Sequence, residues 1–249
     1  MKYYSTRDKA HARPCSLREA VEAGASVIDV GGYSSRPGAD EVSPEEEWRR
    51  VDLGVGAVRS LSPDLPVSID TFRSSVAART IHKYGKVIIN DISAGELDPL
   101  IVDVAAEHDV PYVAMHMKGD PRTMQSMTDY RDIVAEVVDY FRERTAQLRE
   151  RGVRRIVVDP GFGFAKTLEQ NYELLRGLHR LAELGYPVLA GVSRKSMIYK
   201  LLGTTPAEAL NGTTALHWEC LRQGAVILRA HDTREAVEVV RMFDQFMQA

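Results

Sequence analysis

The stretch Ser26-Val27-Ile28-Asp29-Val30-Gly31-Gly32 (SVIDVGG, 26–32) decides the fold: a β-branched run closes on a carboxylate and two glycines. Runs of the same kind recur as PVSID (66–70), VIIND (87–91), YVAMH (112–116), IVVDPG (156–161), VLAGVS (188–193) and AVILRAHD (225–232). Each is almost continuously apolar before its polar end, as strands covered on both faces are, and helical patterns separate them. Seven β-α units in a row predict an α/β chain with parallel strands in a TIM-type (β/α)8 barrel, which needs eight. The strand missing from this count is the first. A doubly wound open sheet also accommodates seven strands, but no G-x-G-x-x-G follows the first of them.

The connections carry helix signals. Ser16-Leu17-Arg18-Glu19 has the spacing of a capping box, with Gly24 at the far end. Ser43-Pro44 followed by Glu45, Glu46 and Glu47 places an N-cap, a first-turn proline and acidic residues at the positive end of a helix dipole. Asp132 to Gly152 reads as a long amphipathic helix with Ile133, Val137, Val138 and Phe141 on one side.

No linker or shift in composition divides the 249 residues, which predicts one domain spanning 1–249. Hydrophobic residues at 44% and charged residues at 27% suit a globule with a large core. With 32 basic against 35 acidic residues the net charge is -3, so the chain lacks the basic excess of a nucleic-acid binder. No window of about 18 apolar residues exists to cross a membrane. The opening MKYYSTRDKAHARPC has no apolar signal-peptide core, and Cys15 and Cys220 show no metal or redox spacing. A cytoplasmic location is expected.

In barrels of this type the chemistry sits at the C-terminal ends of the strands. Here those ends carry Asp29, Asp70, Asn90 with Asp91, His116, Asp159, Ser193 with Arg194 and Lys195, and Arg229 with His231. One polar strand end is ordinary turn chemistry; all seven together describe a pocket for a polar ligand. The loop Gly31-Gly32-Tyr33-Ser34-Ser35-Arg36-Pro37-Gly38 combines backbone amides, hydroxyls and a guanidinium, which suits a phosphate, although a plain turn reads as well. Asp159-Pro160-Gly161-Phe162-Gly163-Phe164 sets a carboxylate beside two rings, suited to a flat heterocycle with N–H donors. Gly191-Val192-Ser193-Arg194-Lys195-Ser196 runs into a helix starting near Ser196, whose N-terminus favours an anion. Arg229 and His231 are two residues apart and so share one face of the last strand. Met115, Met117, Met124 and Met127 suit either a pocket wall or core packing.

Taken together, I-D-V-G-G-Y-S-S-R-P-G, V-S-I-D-T, I-I-N-D-I-S, M-H-M-K-G, D-P-G-F-G-F, S-R-K-S and R-A-H-D resemble the dihydropteroate synthases, in order and from about Ala25 to Asp232. The resemblance implies a TIM barrel, a homodimer, and the condensation of 6-hydroxymethyl-7,8-dihydropterin diphosphate with 4-aminobenzoate, a folate-synthesis step that sulfonamides compete with. By the same resemblance the pterin site comprises Asp70, Asn90, Asp159 and Lys195, of which Asp70 and Lys195 are the catalytic candidates. Ser35, Arg36, Arg229 and His231 would take the diphosphate, assisted by Mg²⁺. Ser196 would take the aminobenzoate carboxylate, and Pro37 and Phe164 would flank its ring. Tyr33 stands where the family more often has Glu, and Ala165 where it more often has Gly.

One departure is larger. The family's first strand carries N-x-T-P-D-S-F, whose Asn helps to hold Mg²⁺ and whose loop closes over the site, and nothing in MKYYSTRDKAHARPC matches it. This coincides with the strand missing from the barrel count. It implies an incomplete metal site, weak or no synthase activity with retained pterin binding, and unpaired edges on SVIDVGG and AVILRAHD that favour self-association. Two further readings use the same residues: a pterin-binding protein without catalysis, and a pterin-dependent methyltransferase of the same barrel superfamily.

Overall fold

The computed structural model describes residues 2–5, 16–34, 41–120 and 123–248. Among them are eight strands: β1 (Lys2–Ser5), β2 (Ile28–Gly31), β3 (Val67–Asp70), β4 (Ile88–Asp91), β5 (Tyr112–Met115), β6 (Ile156–Asp159), β7 (Val188–Ala190) and β8 (Ala225–Leu228). They form one sheet in chain order, with parallel pairing at every step. The helices are α1 (Leu17–Glu22), α2 (Pro44–Leu61), α3 (Ser74–Tyr84), α4 (Leu100–Glu107), α5 (Ile133–Glu150), α6 (Leu168–Arg176), α7 (His179–Ala182), α8 (Ser196–Tyr199), α9 (Leu210–Arg222) and α10 (Thr233–Gln248). The architecture is the TIM-type α/β fold, and all seven apolar runs are strands.

The first strand requires a correction. Lys2–Ser5 lies parallel to β2 in the register Lys2↔Ile28 to Ser5↔Gly31, so the position thought empty is filled and that edge of β2 is paired. The sequence KYYS escapes a search for apolar runs because it is four residues long and ends in a polar stretch. The strand is present without the family's N-x-T-P-D-S-F motif. Among the described residues no ladder joins β8 to β1.

The helix signals act as read. Ser16 Oγ accepts the Glu19 amide at 3.2 Å while Glu19 Oε2 accepts the Ser16 amide at 2.6 Å. Ser43 Oγ accepts the Glu46 amide at 3.2 Å, with Pro44 as the first helical residue. The long helix is α5, capped by Asp132, and it buries Ile133, Val137, Val138 and Phe141.

Alternation along the strands separates the two faces of the sheet. A Cβ on Gly54 would come within 2.5 Å of Val30 Cγ1, so α2 lies against the outward face of β2. Ile28, Val30, Val67, Ile69 and Ile89 therefore join Val51, Val55 and Val76 in the main core. The intervening residue, Asp29, is turned to the interior, and its register partner is Ser68. Arg229, just beyond β8, reaches Asp29 on β2 at 2.8 Å and Asp70 on β3 at 2.7 Å. The sheet must therefore curl until its last strand faces its second and third.

Candidate active site

Asp70 and Asp159 are the last residues of β3 and β6 and Asn90 the next to last of β4, where alternation aims them inward and the polar end terminates the apolar run. Arg229 organises one side of the interior. Its Nε donates to Asp29 Oδ2 and its Nη2 to Asp70 Oδ2, and Asn90 Nδ2 donates to the same Asp29 oxygen at 3.1 Å. Asp29 thereby uses one oxygen twice. Its other oxygen, Oδ1, is buried without a hydrogen-bond partner among the described residues. A buried carboxylate oxygen in that condition costs free energy unless a donor is supplied. Burial, opposed by Arg229 and reinforced by Asp29, Glu47 and Asp91, pushes the Asp70 carboxyl up to about 7.

The opposite side is built by the loop after β6. Asp159 Oδ1 accepts the Gly161 amide at 2.8 Å, which starts a tight coil in which Gly161, Gly163 and Ala165 all have positive φ. Only glycine fits at 161, because φ is +67° and a Cβ would run into the carbonyl oxygen of His116. Lys195 Nζ donates to the Phe162 carbonyl and lies 4.9 Å from the centroid of the Phe164 ring. Burial draws the Lys195 ammonium down to about 8 and raises the Asp159 carboxyl, while the attraction between the two charges acts against both shifts.

A third group comes from the ends of β7 and β8. Ser193 Oγ accepts the His231 amide at 3.1 Å and lies 3.0 Å from His231 Nδ1, which sets the imidazole. Arg194 does not join the site. It forms a fork-to-fork pair with Asp232 (2.9 and 2.8 Å) and donates to the Pro206 and Ala207 carbonyls, tying α8, α9 and α10 together. Ser196 opens α8, but that helix has only four residues, so its dipole adds less than the sequence implied and the hydroxyl is what Ser196 offers.

Asp70, Asn90, Asp159, Phe164, Lys195, Ser196, Arg229 and His231 thus all stand at the C-terminal ends of the strands. Ser35, Arg36 and Pro37 lie outside the described residues. The methionines divide: Met115, Met117 and Met124 are buried with Ile92 and Ala165 against Phe72 and Phe164, whereas Met127 is exposed. Asp29, His116 and Ser193 belong to the strand ends that mark the pocket in the sequence, without an individual role there, whereas Lys166 is not marked, its one signal being that it directly follows the D-P-G-F-G-F-A string. Tyr33, the substituted family position, packs edge-on against Phe72 at 5.4 Å, with the Arg73 guanidinium over its ring. Arg73 is in turn held by the fully buried Glu47.

A family model described as pterin binding enzyme matches residues 8–231. The chain belongs to the pterin-binding enzyme family. It is 40% identical over 247 residues to the dihydropteroate synthase of Synechocystis sp., a match that covers 97% of this chain and 85% of that one. It is 43% identical over 231 residues to the dihydropteroate synthase of Escherichia coli, covering 92% and 81%. Among solved structures, the Thermus thermophilus dihydropteroate synthase in complex with 4-aminobenzoate superposes with a TM-score of 0.89 at 37% identity, covering 98% of this chain and 93% of that one. The Yersinia pestis dihydropteroate synthase with a sulfonamide drug complex gives 0.87 at 36%, covering 93% and 84%. The pterin-binding family assignment accounts for a polar barrel interior, which an inert barrel would fill with branched apolar side chains.

Magnesium, implied by the resemblance, has no all-protein cluster of ligands among the described residues, although Mg²⁺ is commonly held by one or two side chains together with substrate phosphate oxygens. No three His, Cys, Asp or Glu side chains among the described residues are grouped to hold a metal ion, and Arg229 already engages Asp29 and Asp70.

Proposed function

We propose that this chain condenses 6-hydroxymethyl-7,8-dihydropterin diphosphate with 4-aminobenzoate to give 7,8-dihydropteroate and pyrophosphate. The observation that carries this is the pairing of acceptors and donors inside the barrel. Asn90, Asp159 and the unpartnered Asp29 oxygen lie around an interior that also holds the Lys195 ammonium. A pterin offers ring N–H donors and one carbonyl, which is the complement of that set.

In this reading Asp159 and Asn90 take the pterin edge and Lys195 its carbonyl. Arg229 and His231, with Ser35 and Arg36 from the loop after β2, take the diphosphate. The C–O bond to the pterin methylene breaks with its electron pair leaving on pyrophosphate, and Asp70 faces the cationic carbon that results. The aniline nitrogen of 4-aminobenzoate then bonds to that carbon and loses a proton. Ser196 receives the aminobenzoate carboxylate, while Phe164 and Pro37 flank its ring. Lys195 lies 4.9 Å from the centroid of the Phe164 ring, so the groups assigned to the two substrates are neighbours. The test is a pyrophosphate-release assay with each substrate omitted in turn: release must need both, and a sulfonamide must suppress it competitively with 4-aminobenzoate. Pterin binding without release would support the non-catalytic reading instead.

The homodimer belongs to the same proposal. Met242, Phe246 and Met247 on α10 are 65%, 66% and 66% exposed, and Trp218 on α9 stacks edge-on against Phe243 and Phe246. A patch of this kind on a soluble fold favours self-association. Phe246→Glu should convert the dimer to a monomer in light scattering, and an unchanged mass would remove this face from the interface. No helix among the described residues is long and apolar enough to cross a membrane, and the proposal sets this chemistry in the cytoplasm.

A further inference from the structure

Lys166 follows the loop that carries Asp159, and its side chain is buried at 6% exposure with no place in the pterin-facing set. An ammonium has three donors, and here three acceptors meet them: His116 Nδ1 at 3.1 Å, the Gly161 carbonyl at 3.0 Å and the Phe164 carbonyl at 2.8 Å. His116 can accept on Nδ1 only as the neutral ring with its proton on Nε2. Burial, with Lys166 and Lys118 adding to it, holds its pKa well below the ordinary value and so favours that form.

We propose that Lys166, seated on His116, is a positioning residue that holds the loop 159–166 in the shape that aims Asp159 and Lys195 at the pterin. This rests on the reading of the site given above. The loop coils through three left-handed residues, one of them Ala165, and such a coil persists only where its surroundings enforce it. Lys166 does so by drawing two of its carbonyls inward. The chain of contacts then runs to both site residues: the Gly161 amide binds Asp159 Oδ1, and the intervening Phe162 carbonyl accepts from Lys195. Asn171 fixes the remaining turn through the Gly163 amide at 2.6 Å. Without the ammonium, two buried carbonyls lose their donor, the coil relaxes, and Asp159 and Lys195 move together. Arg229 and His231 stand on other strands and are not reached by this chain of contacts.

Calorimetry on the full chain with a diphosphate-free pterin and, separately, inorganic pyrophosphate tests the assignment. Lys166→Met should weaken the pterin at least about tenfold, equivalent to roughly 1.4 kcal/mol, and leave pyrophosphate within about twofold. Combined with Asp159→Asn the loss should be clearly smaller than the product of the two single losses, because both changes act in part through one carboxylate. Pterin affinity within twofold of the unaltered chain, equal losses for both ligands, or a multiplicative double variant would each overturn the proposal. If Lys166→Met does not fold, the histidine carries the test. His116→Asn keeps an acceptor near the Nδ1 position and should retain pterin binding, whereas His116→Leu should lose about tenfold or more. Equal affinities of those two variants would overturn it. Absence of pterin binding in the unaltered chain would instead strike the functional reading itself.

Discussion

Replacing Asp159 with Asn separates a binding role from a folding role. In the structure Asp159 Oδ1 accepts the Gly161 amide at 2.8 Å, and the second oxygen makes no hydrogen bond among the described residues. Asn can keep the first contact only by turning its amide NH2 toward the interior, where the pterin reading places an N–H donor. The variant then loses a charge-assisted hydrogen bond, about 1.5–3 kcal/mol, and sets donor against donor in a buried site, about 1–3 kcal/mol more. Taking about 3–5 kcal/mol together, the pterin dissociation constant should rise by two to three and a half decades. Folding should suffer little. Burial already disfavours the Asp159 charge, and the neutral amide preserves the turn. The assay is titration calorimetry with a diphosphate-free pterin, alongside a thermal melt of the unliganded chain. Unchanged pterin affinity, with or without a lowered melting temperature, would show that Asp159 only shapes its loop and would refute the reasoning.

Other outcomes follow from neighbouring parts of the site. His231→Ala and Arg36→Ala should each weaken pyrophosphate and the diphosphate substrate by about 1.5–3 kcal/mol while sparing the free pterin, and equal losses for the two ligand types would remove them from the diphosphate side. Because burial lowers Lys195 to about 8, its charged donor is present below that pH and lost above it. The ratio kcat/KM should accordingly fall as pH rises through about 8, and Lys195→Met should give a lower profile without that limb. An unaltered alkaline limb in the variant would assign it to another group. Gly161→Ala forces a side chain into left-handed backbone and against the His116 carbonyl, so a loss of about 2–4 kcal/mol, read as a fall of several degrees in melting temperature, is expected together with loss of pterin binding. A melt matching the unaltered chain would show that the coil tolerates a Cβ.

The parts of this fold legible in the sequence are those whose physics is local. SVIDVGG and IVVDPG announce themselves because a strand buried on both faces must be apolar until it ends, and Ser16 and Ser43 because a helix start needs its amides capped. KYYS announces nothing: four residues do not establish a period, and only pairing with β2 makes Lys2–Ser5 a strand. The site divides the same way. Asp70, Asn90 and Asp159 could be picked out because strand direction alone carries them to one end of the barrel. Arg194 and Lys195 are adjacent and both cationic, and the sequence does not say which turns inward. The partner that decides is Asp232, which is distant in sequence and captures the guanidinium. Lys166 and His116 lie 50 residues apart and meet only once β6 pairs with β5. Asp29 looked like one strand end among seven until its two oxygens proved unequal, one shared by Arg229 and Asn90 and the other without a partner.

The most direct test of the account is pyrophosphate release from 6-hydroxymethyl-7,8-dihydropterin diphosphate, followed with and without 4-aminobenzoate. A site that binds pterin between Asp159, Asn90 and Lys195 and leaves the methylene open to an amine predicts release that saturates in both substrates, with dihydropteroate formed in equal amount. Release that ignores 4-aminobenzoate, or no binding of the pterin diphosphate at all, would contradict it.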